Sequence, residues 1–163
     1  MRKSLFLITL LLFVSCNSDI SGVILSNNAY SSLILKIMDD EEKSKFDILE
    51  KYLIDESTLE YSEFVFKGKK NIIRTRMSDS QFFSNILIRN KNVSTTYNKD
   101  RTYTTFLKCN WLAKGIYTKD TYDVLSFYEF TWKNDKIISI KVFWNELPYY
   151  KEYNEFSKTY NYE

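Results

Sequence analysis

The apolar and polar residues of this chain change their period once, near its middle. In the first half Tyr30, Leu33, Ile34, Ile37 and Met38 recur three or four positions apart, and Phe46, Leu49 and Leu53 continue at that spacing. This is the stripe of helices that bury one face. Asp39-Asp40 followed by Glu41-Glu42 supplies capping oxygens and negative charge where a second helix would begin. A short extended piece over 59–66 closes at Lys67-Gly68, and Ile72, Ile73, Arg76 and Met77 mark a third helix that stops before Ser78-Asp79.

From Phe82 onward the period is two, which predicts strands over 85–97, 102–117, 122–133 and 136–145. Tyr103, Thr105, Leu107, Cys109, Trp111 and Ala113 share one face of the second of these, while Thr104, Lys108, Asn110 and Lys114 fall mainly on the other. In the third, Val124, Tyr128, Phe130 and Trp132 alternate with Glu129, Thr131 and Lys133. Asn134-Asp135 suits a two-residue turn, because both residues tolerate positive φ. Long antiparallel strands after paired helices predict an α+β domain, with the helices covering one sheet face.

The first residues follow neither period. Arg2 and Lys3 precede an apolar run from Leu5 to Val14, broken only by Thr9, then Ser15 and Cys16. A positive start, a short apolar run and a small residue form the layout of an export signal. The run is about half the roughly twenty residues a membrane-spanning helix needs. Phe13-Val14-Ser15-Cys16 resembles the bacterial lipobox, with Phe13 where Leu is usual. That resemblance implies a lipoprotein signal peptide over 1–15, a lipid on Cys16 that anchors the chain in the bacterial cell envelope, and a tether over 16–27. An ordinary secretory signal cut near Ser15 is the alternative.

Cys16 and Cys109 are the two cysteines of the chain, so lipidation of Cys16 would leave no partner for an intramolecular disulfide. Cys109 lies in the alternating pattern between Leu107 and Trp111, the setting of a buried inert thiol. Removal of Arg2 and Lys3 would leave 21 basic against 21 acidic side chains. A balanced charge argues against a nucleic-acid partner, which is held mainly by excess Lys and Arg. Lys67, Lys69 and Lys70 read as a solvated helix start, with an anion site as the functional alternative.

Chemistry is narrowed further by what the sequence lacks. It contains no histidine, so Asp-His and serine-triad mechanisms are excluded and no metal site is expected. Three glycines, Gly22, Gly68 and Gly115, form no phosphate-cradling loop or dinucleotide fingerprint, and no cofactor is expected. Asn92-Val93-Ser94 matches a glycosylation sequon of low specificity.

The order helix, helix, short strand, helix and long antiparallel strands resembles the nuclear transport factor two-like superfamily, which includes SnoaL-like and ketosteroid isomerase-like proteins. The residues that carry the resemblance are Lys67-Gly68-Lys69-Lys70, the run from Ser78 to Phe83 leading to Ile86, and the hairpin from Phe130 through Asn134-Asp135-Lys136-Ile137 to Asn145. It covers 28–147, and it departs from the family pattern at Lys136, where a glycine usually follows the acid. It implies N-terminal helices packed on a strongly bent antiparallel sheet, the cystatin-like or nuclear transport factor two-like cone. The face bearing Tyr103, Trp111, Tyr128, Phe130, Trp132 and Trp144 would then be the candidate lining of a conical cavity, unless these rings simply fill the core.

Catalytic members pair an acid with His or Tyr. Here Asp55, Glu56, Glu60 and Glu63 lie near the short strand, and none sits in a motif that transfers a role, so no catalytic residue is assigned. The Tyr-rich tail over 148–163 is either an exposed interaction segment or a cover for the sheet or cavity mouth. Three functions follow: a non-catalytic lipoprotein domain that binds a small apolar ligand, a module that dimerises or docks through the sheet, and an acid-plus-tyrosine enzyme. An open pocket favours the first, a cavity filled by its own side chains the second, and a buried carboxylate of raised pKa the third.

Overall fold

The computed structural model describes residues 23–25 and 28–160. The expected export signal, Cys16 and most of the expected tether lie outside the described residues. Strand β1 (Val23–Leu25) is followed by helices α1 (Ala29–Glu41) and α2 (Asp47–Tyr52) and by the hairpin β2 (Leu53–Tyr61) and β3 (Phe64–Lys67). Helix α3 (Lys69–Phe82) leads into β4 (Phe83–Tyr97), β5 (Tyr103–Gly115), β6 (Thr121–Lys133) and β7 (Lys136–Phe143), and α4 (Leu147–Tyr160) closes the described chain.

The strands form a single sheet in the order β1-β4-β5-β6-β7-β2-β3. Every pair is antiparallel except β2 and β7, which are parallel, so the sheet is mixed at this end rather than wholly antiparallel. A parallel neighbour requires a long connection, and here α3 and four strands separate β2 from β7 in the chain.

The bend has a local cause. The β4–β5 register shifts between Ser84 and Leu87 and again between Arg89 and Asn92. Asn85 and Asn90, both at φ 53, sit inside those shifts. Such bulges bend a strand and increase its twist, and asparagine takes positive φ at low cost. At the β6–β7 turn Asn134 (φ 51) and Asp135 (φ 58) supply the two positive φ values of a tight hairpin.

Helices cover the concave face. Ile34, Ile37 and Met38 of α1, Leu49 of α2 and Ile72 of α3 meet Leu107, Cys109, Trp111, Tyr128, Phe130, Trp132 and Ile140 from the sheet, all buried. The space between helices and sheet is therefore largely filled by side chains, and Cys109, pushed to about 11 by burial, is an inert core thiol. The convex face keeps Phe106, Leu125, Phe127 and Phe143 exposed.

Several boundaries differ from the sequence pattern, and α3 does not stop before Ser78-Asp79 but runs through them to Phe82. Helix α1 runs through Glu41, so Asp39-Asp40 lie in its last turn, and the second helix is six residues long. The cause is tertiary: Glu41 is buried and paired with Arg76 of α3. Leu53 belongs to β2, where Ser57 Oγ accepts the Ile54 N–H at 2.9 Å and donates to the Ile137 carbonyl at 2.6 Å. The extended piece is a full hairpin, with Ser62 at φ 43 in its turn.

The Tyr-rich tail is helical through residue 160, as part of helix α4, which begins at Leu147. Asn145 Oδ1 accepts the Leu147 N–H at 3.0 Å at its entrance, and Pro148 sits in the first turn, where a missing N–H costs nothing.

Candidate functional site

Helix α3 carries the polar centre of the molecule, because its buried stripe, Ile72, Arg76 and Phe82, includes a guanidinium, and Asp79 follows one turn after it. The Arg76 guanidinium donates to Glu41 Oε2 and, at 2.5 Å, to the Tyr61 hydroxyl, and it lies 5.5 Å from the centre of the Tyr128 ring. Burial opposes the charge on Arg76, but Glu41, together with Tyr61, Tyr128 and Asp79, outweighs it and holds the guanidinium protonated. A buried charge of this kind persists only when paired and hydrogen-bonded.

Asp79 lies one turn further along the helix. Among the described residues no side chain hydrogen-bonds its carboxylate. Burial raises its pKa to about 6, against the lowering effect of Arg76 and with a further upward push from Glu41. Burial likewise pushes Tyr61 up to about 12.

The carboxylate stands in the wall of a cavity of about 270 Å³ between the β2–β3 hairpin, α3 and the start of α4. Six rings form most of that wall: Tyr61, Phe64, Phe66, Trp144, Tyr149 and Tyr150. The polar groups are Thr75, Ser78, Asp79 and Glu146, and no lysine or arginine is among the lining residues. The rings support one another. Tyr61 stands edge-on to Phe66 at 6.4 Å and tilted to Trp144 at the same distance, while Tyr149 packs on Phe82 at 4.9 Å. Phe64 and Tyr150 are more than half exposed at the mouth, so the cavity is open.

Of the six candidate lining residues, Trp144 alone borders this cavity. Trp111 meets it from behind at 5.6 Å, edge to face, and borders a smaller cleft beside Glu41, Arg76 and Asp79. Tyr128 and Phe130 are stacked at 6.1 Å within the core. Tyr103 and Trp132 pack against Tyr30 at the other end of the cone, where Trp132 Nε1 donates to Thr105 Oγ1 at 3.0 Å. The six therefore form a continuous core with one member at the site.

The sequence pattern did not single out Tyr61, Phe64, Phe66 or Asp79 as site residues. Tyr61, Phe64 and Phe66 alternate across a hairpin whose partner strand β7 lies far along the chain, and Asp79 gains its character only from burial beside Arg76 and Glu41.

A second acid is held quite differently. Glu152, fully buried on α4, accepts from the Tyr117 N–H at 2.7 Å, from the Thr118 N–H and hydroxyl, and from the Tyr122 hydroxyl at 3.0 Å. Burial alone would raise its pKa, but these hydrogen bonds, that of Thr118 foremost, bring it below the ordinary glutamate value. Among the described residues no cluster of acids and cysteines could hold a metal ion.

No family profile and no curated protein matches the sequence. Solved structures do. A protein of Shewanella putrefaciens CN-32 assigned as a SnoaL-like polyketide cyclase superposes with a TM-score of 0.62 at 11% identity, over 79% of this chain and 98% of that one. A protein of Novosphingobium aromaticivorans DSM 12444 assigned as a scytalone dehydratase gives 0.61 at 11% identity, over 72% and 82%. A ketosteroid isomerase-like protein of Catenulispora acidiphila DSM 44928, in complex with trimethylamine, gives 0.56 at 9% identity, over 68% and 83%. What these likenesses establish is the fold: the chain has the α+β architecture of helices on a strongly curled sheet that SnoaL-like and ketosteroid isomerase-like proteins share.

Proposed function

We propose that this protein is a membrane-anchored lipoprotein whose folded domain binds a small apolar ligand in the aromatic cavity between the β2–β3 hairpin, α3 and α4. The observation that carries the binding half is the cavity itself. Six rings line an open space in a molecule whose core is otherwise filled, and ligand sites are typically apolar concavities with a few placed polar groups. The Catenulispora protein, which holds trimethylamine on the same fold, is a precedent for a small ligand. Native mass spectrometry of protein purified gently from its host tests this reading. The expected result is an added small-molecule mass that is lost on denaturation and absent from Trp144→Ala; a clean protein mass in both contradicts it.

The anchoring half rests on Arg2-Lys3, the apolar run and Phe13-Val14-Ser15-Cys16. No helix among the described residues is long and apolar enough to cross a membrane. Labelling with radioactive palmitate tests the anchoring half: label and membrane association are expected in the natural chain and lost in Cys16→Ser. An unlabelled natural chain contradicts it.

One observation favours a catalytic reading as the alternative. A carboxyl group with a pKa near 6 in a pocket wall is suited to take a proton at neutral pH, and Tyr61 stands beside it as a hydroxyl donor. Deuterium incorporation at the α-carbon of a small cyclic ketone in heavy water, faster with the natural chain than with Asp79→Asn, would support it. Equal rates would exclude it for that substrate class.

A further inference from the structure

The charge of the cavity is as one-sided as its aromatic lining. Asp79 and Glu146 contribute to the wall and no cationic side chain does. Arg76 is the nearest positive group, and it is already committed, bonded to Glu41 and to the Tyr61 hydroxyl. Counting Glu41, Arg76 and Asp79 together leaves one uncompensated negative charge, that of Asp79, and Glu146 at the mouth adds another. Tyr150 donates to Glu146 at 3.3 Å, which ties an aromatic ring to a carboxylate at the entrance.

This pairing discriminates among ligands. An anion would face two carboxylates. A neutral apolar molecule closing the cavity would strip water from Asp79 and offer nothing in return, a cost that unpaired buried charges always carry. A cation answers both terms, because aromatic faces attract positive charge through their quadrupoles and the carboxylate gains a counter-ion.

We propose that the ligand of this cavity is a small organic cation, an amine or quaternary ammonium group seated against Tyr61, Phe66, Trp144 and Tyr149 with Asp79 as its counter-ion. This rests on the reading above that the cavity binds a small ligand, and revises it in one respect: the apolar groups of that ligand carry a positive charge. Tyr150 and Phe64, exposed at the mouth, close over the bound group as the last two rings of the box.

Two probes of one shape test it: phenyltrimethylammonium and its neutral carbon counterpart, tert-butylbenzene, titrated into the full chain at pH 7.5 and followed by NMR. The cation is expected to bind at least about tenfold more tightly than the hydrocarbon. Asp79→Asn is expected to erase that preference, and Tyr150→Leu, which changes an exposed ring, to weaken the cation more than the hydrocarbon. Equal or tighter binding of tert-butylbenzene overturns the cation inference and leaves the apolar-ligand reading standing. Binding of neither probe overturns both.

Discussion

Asp79, on α3 beside α4, and Glu152, on α4 itself, are two acids whose surroundings are opposite. Asp79 stands by the first turn of α4, in an open aromatic wall, with no hydrogen-bond partner on a described side chain and a pKa raised to about 6. Glu152, on the same helix, is fully buried, accepts bonds from two backbone amides and two hydroxyls, and has its pKa lowered. Burial pushes both upward. What separates them is whether the protein itself completes the hydrogen bonding of the carboxylate. A completed carboxylate fastens the scaffold, and an incomplete one in a cavity is left for something else to complete.

The comparison predicts its largest effect at the completed site. Glu152→Ala orphans the Tyr117 and Thr118 amides and frees α4 from the loop before β6, and is expected to cost about 3 kcal/mol in urea unfolding. A loss under roughly 0.5 kcal/mol, the scale of ordinary surface changes, would remove Glu152 from the scaffold. Gly115→Ala is the next largest. A Cβ there would lie 2.0 Å from Glu152 Oε1 and 2.6 Å from Thr118 Oγ1, so the locked carboxylate must move. About 2 kcal/mol of destabilisation is expected, relieved when combined with Glu152→Ala because both act on one contact.

Asp79 is expected to behave with the opposite sign. Its folded pKa lies above the ordinary 3.8, so the folded state binds the proton more tightly and its contribution to stability diminishes as pH rises from about 4 through 6. Glu152 has a lowered folded pKa, so its contribution is complete above the ordinary 4.5 and disappears as pH falls through the folded value. Asp79→Asn is therefore expected to raise stability at pH 7.5 by on the order of 1 kcal/mol, discounted for its partial exposure, and to flatten the profile between pH 4 and 6. A destabilised Asp79→Asn with an unchanged profile would show that the carboxylate is structural after all. The smallest stability effect is expected on the convex face. Phe127→Glu should change stability by less than about 0.5 kcal/mol, yet abolish any dimer seen by sedimentation equilibrium if the sheet is the dimer surface.

The sheet was legible in the sequence because β5 and β6 alternate between a buried and an exposed face, so inside and outside are written residue by residue. The β6–β7 turn was legible because Asn134-Asp135 is local chemistry with a local consequence. The end of α1 was not. Asp39-Asp40 resembles a helix start, and only the pairing of Glu41 with Arg76, 35 residues away, carries the helix past it. The site was hidden for the same kind of reason. Trp132 and Trp144 look alike as strand-associated tryptophans, but one is sealed against Tyr30 and the other borders the open cavity. Asp79 reads as one more acid near a helix end until Arg76, Glu41 and the rings of two distant elements surround it.

The most direct test of this account is the titration of both carboxyl groups by carbon-13 NMR in the full chain, with and without phenyltrimethylammonium. Among the described residues Arg76, Glu41, Tyr61 and Tyr149 interact with Asp79, while Glu146 and Tyr150 share its cavity wall, and none supplies a competing cation beyond the committed Arg76. The account predicts that Asp79 titrates near 6 and moves downward when the cation binds, while Glu152 titrates below the ordinary glutamate value and does not move. An Asp79 that titrates at the ordinary 3.8 and ignores the cation would contradict it.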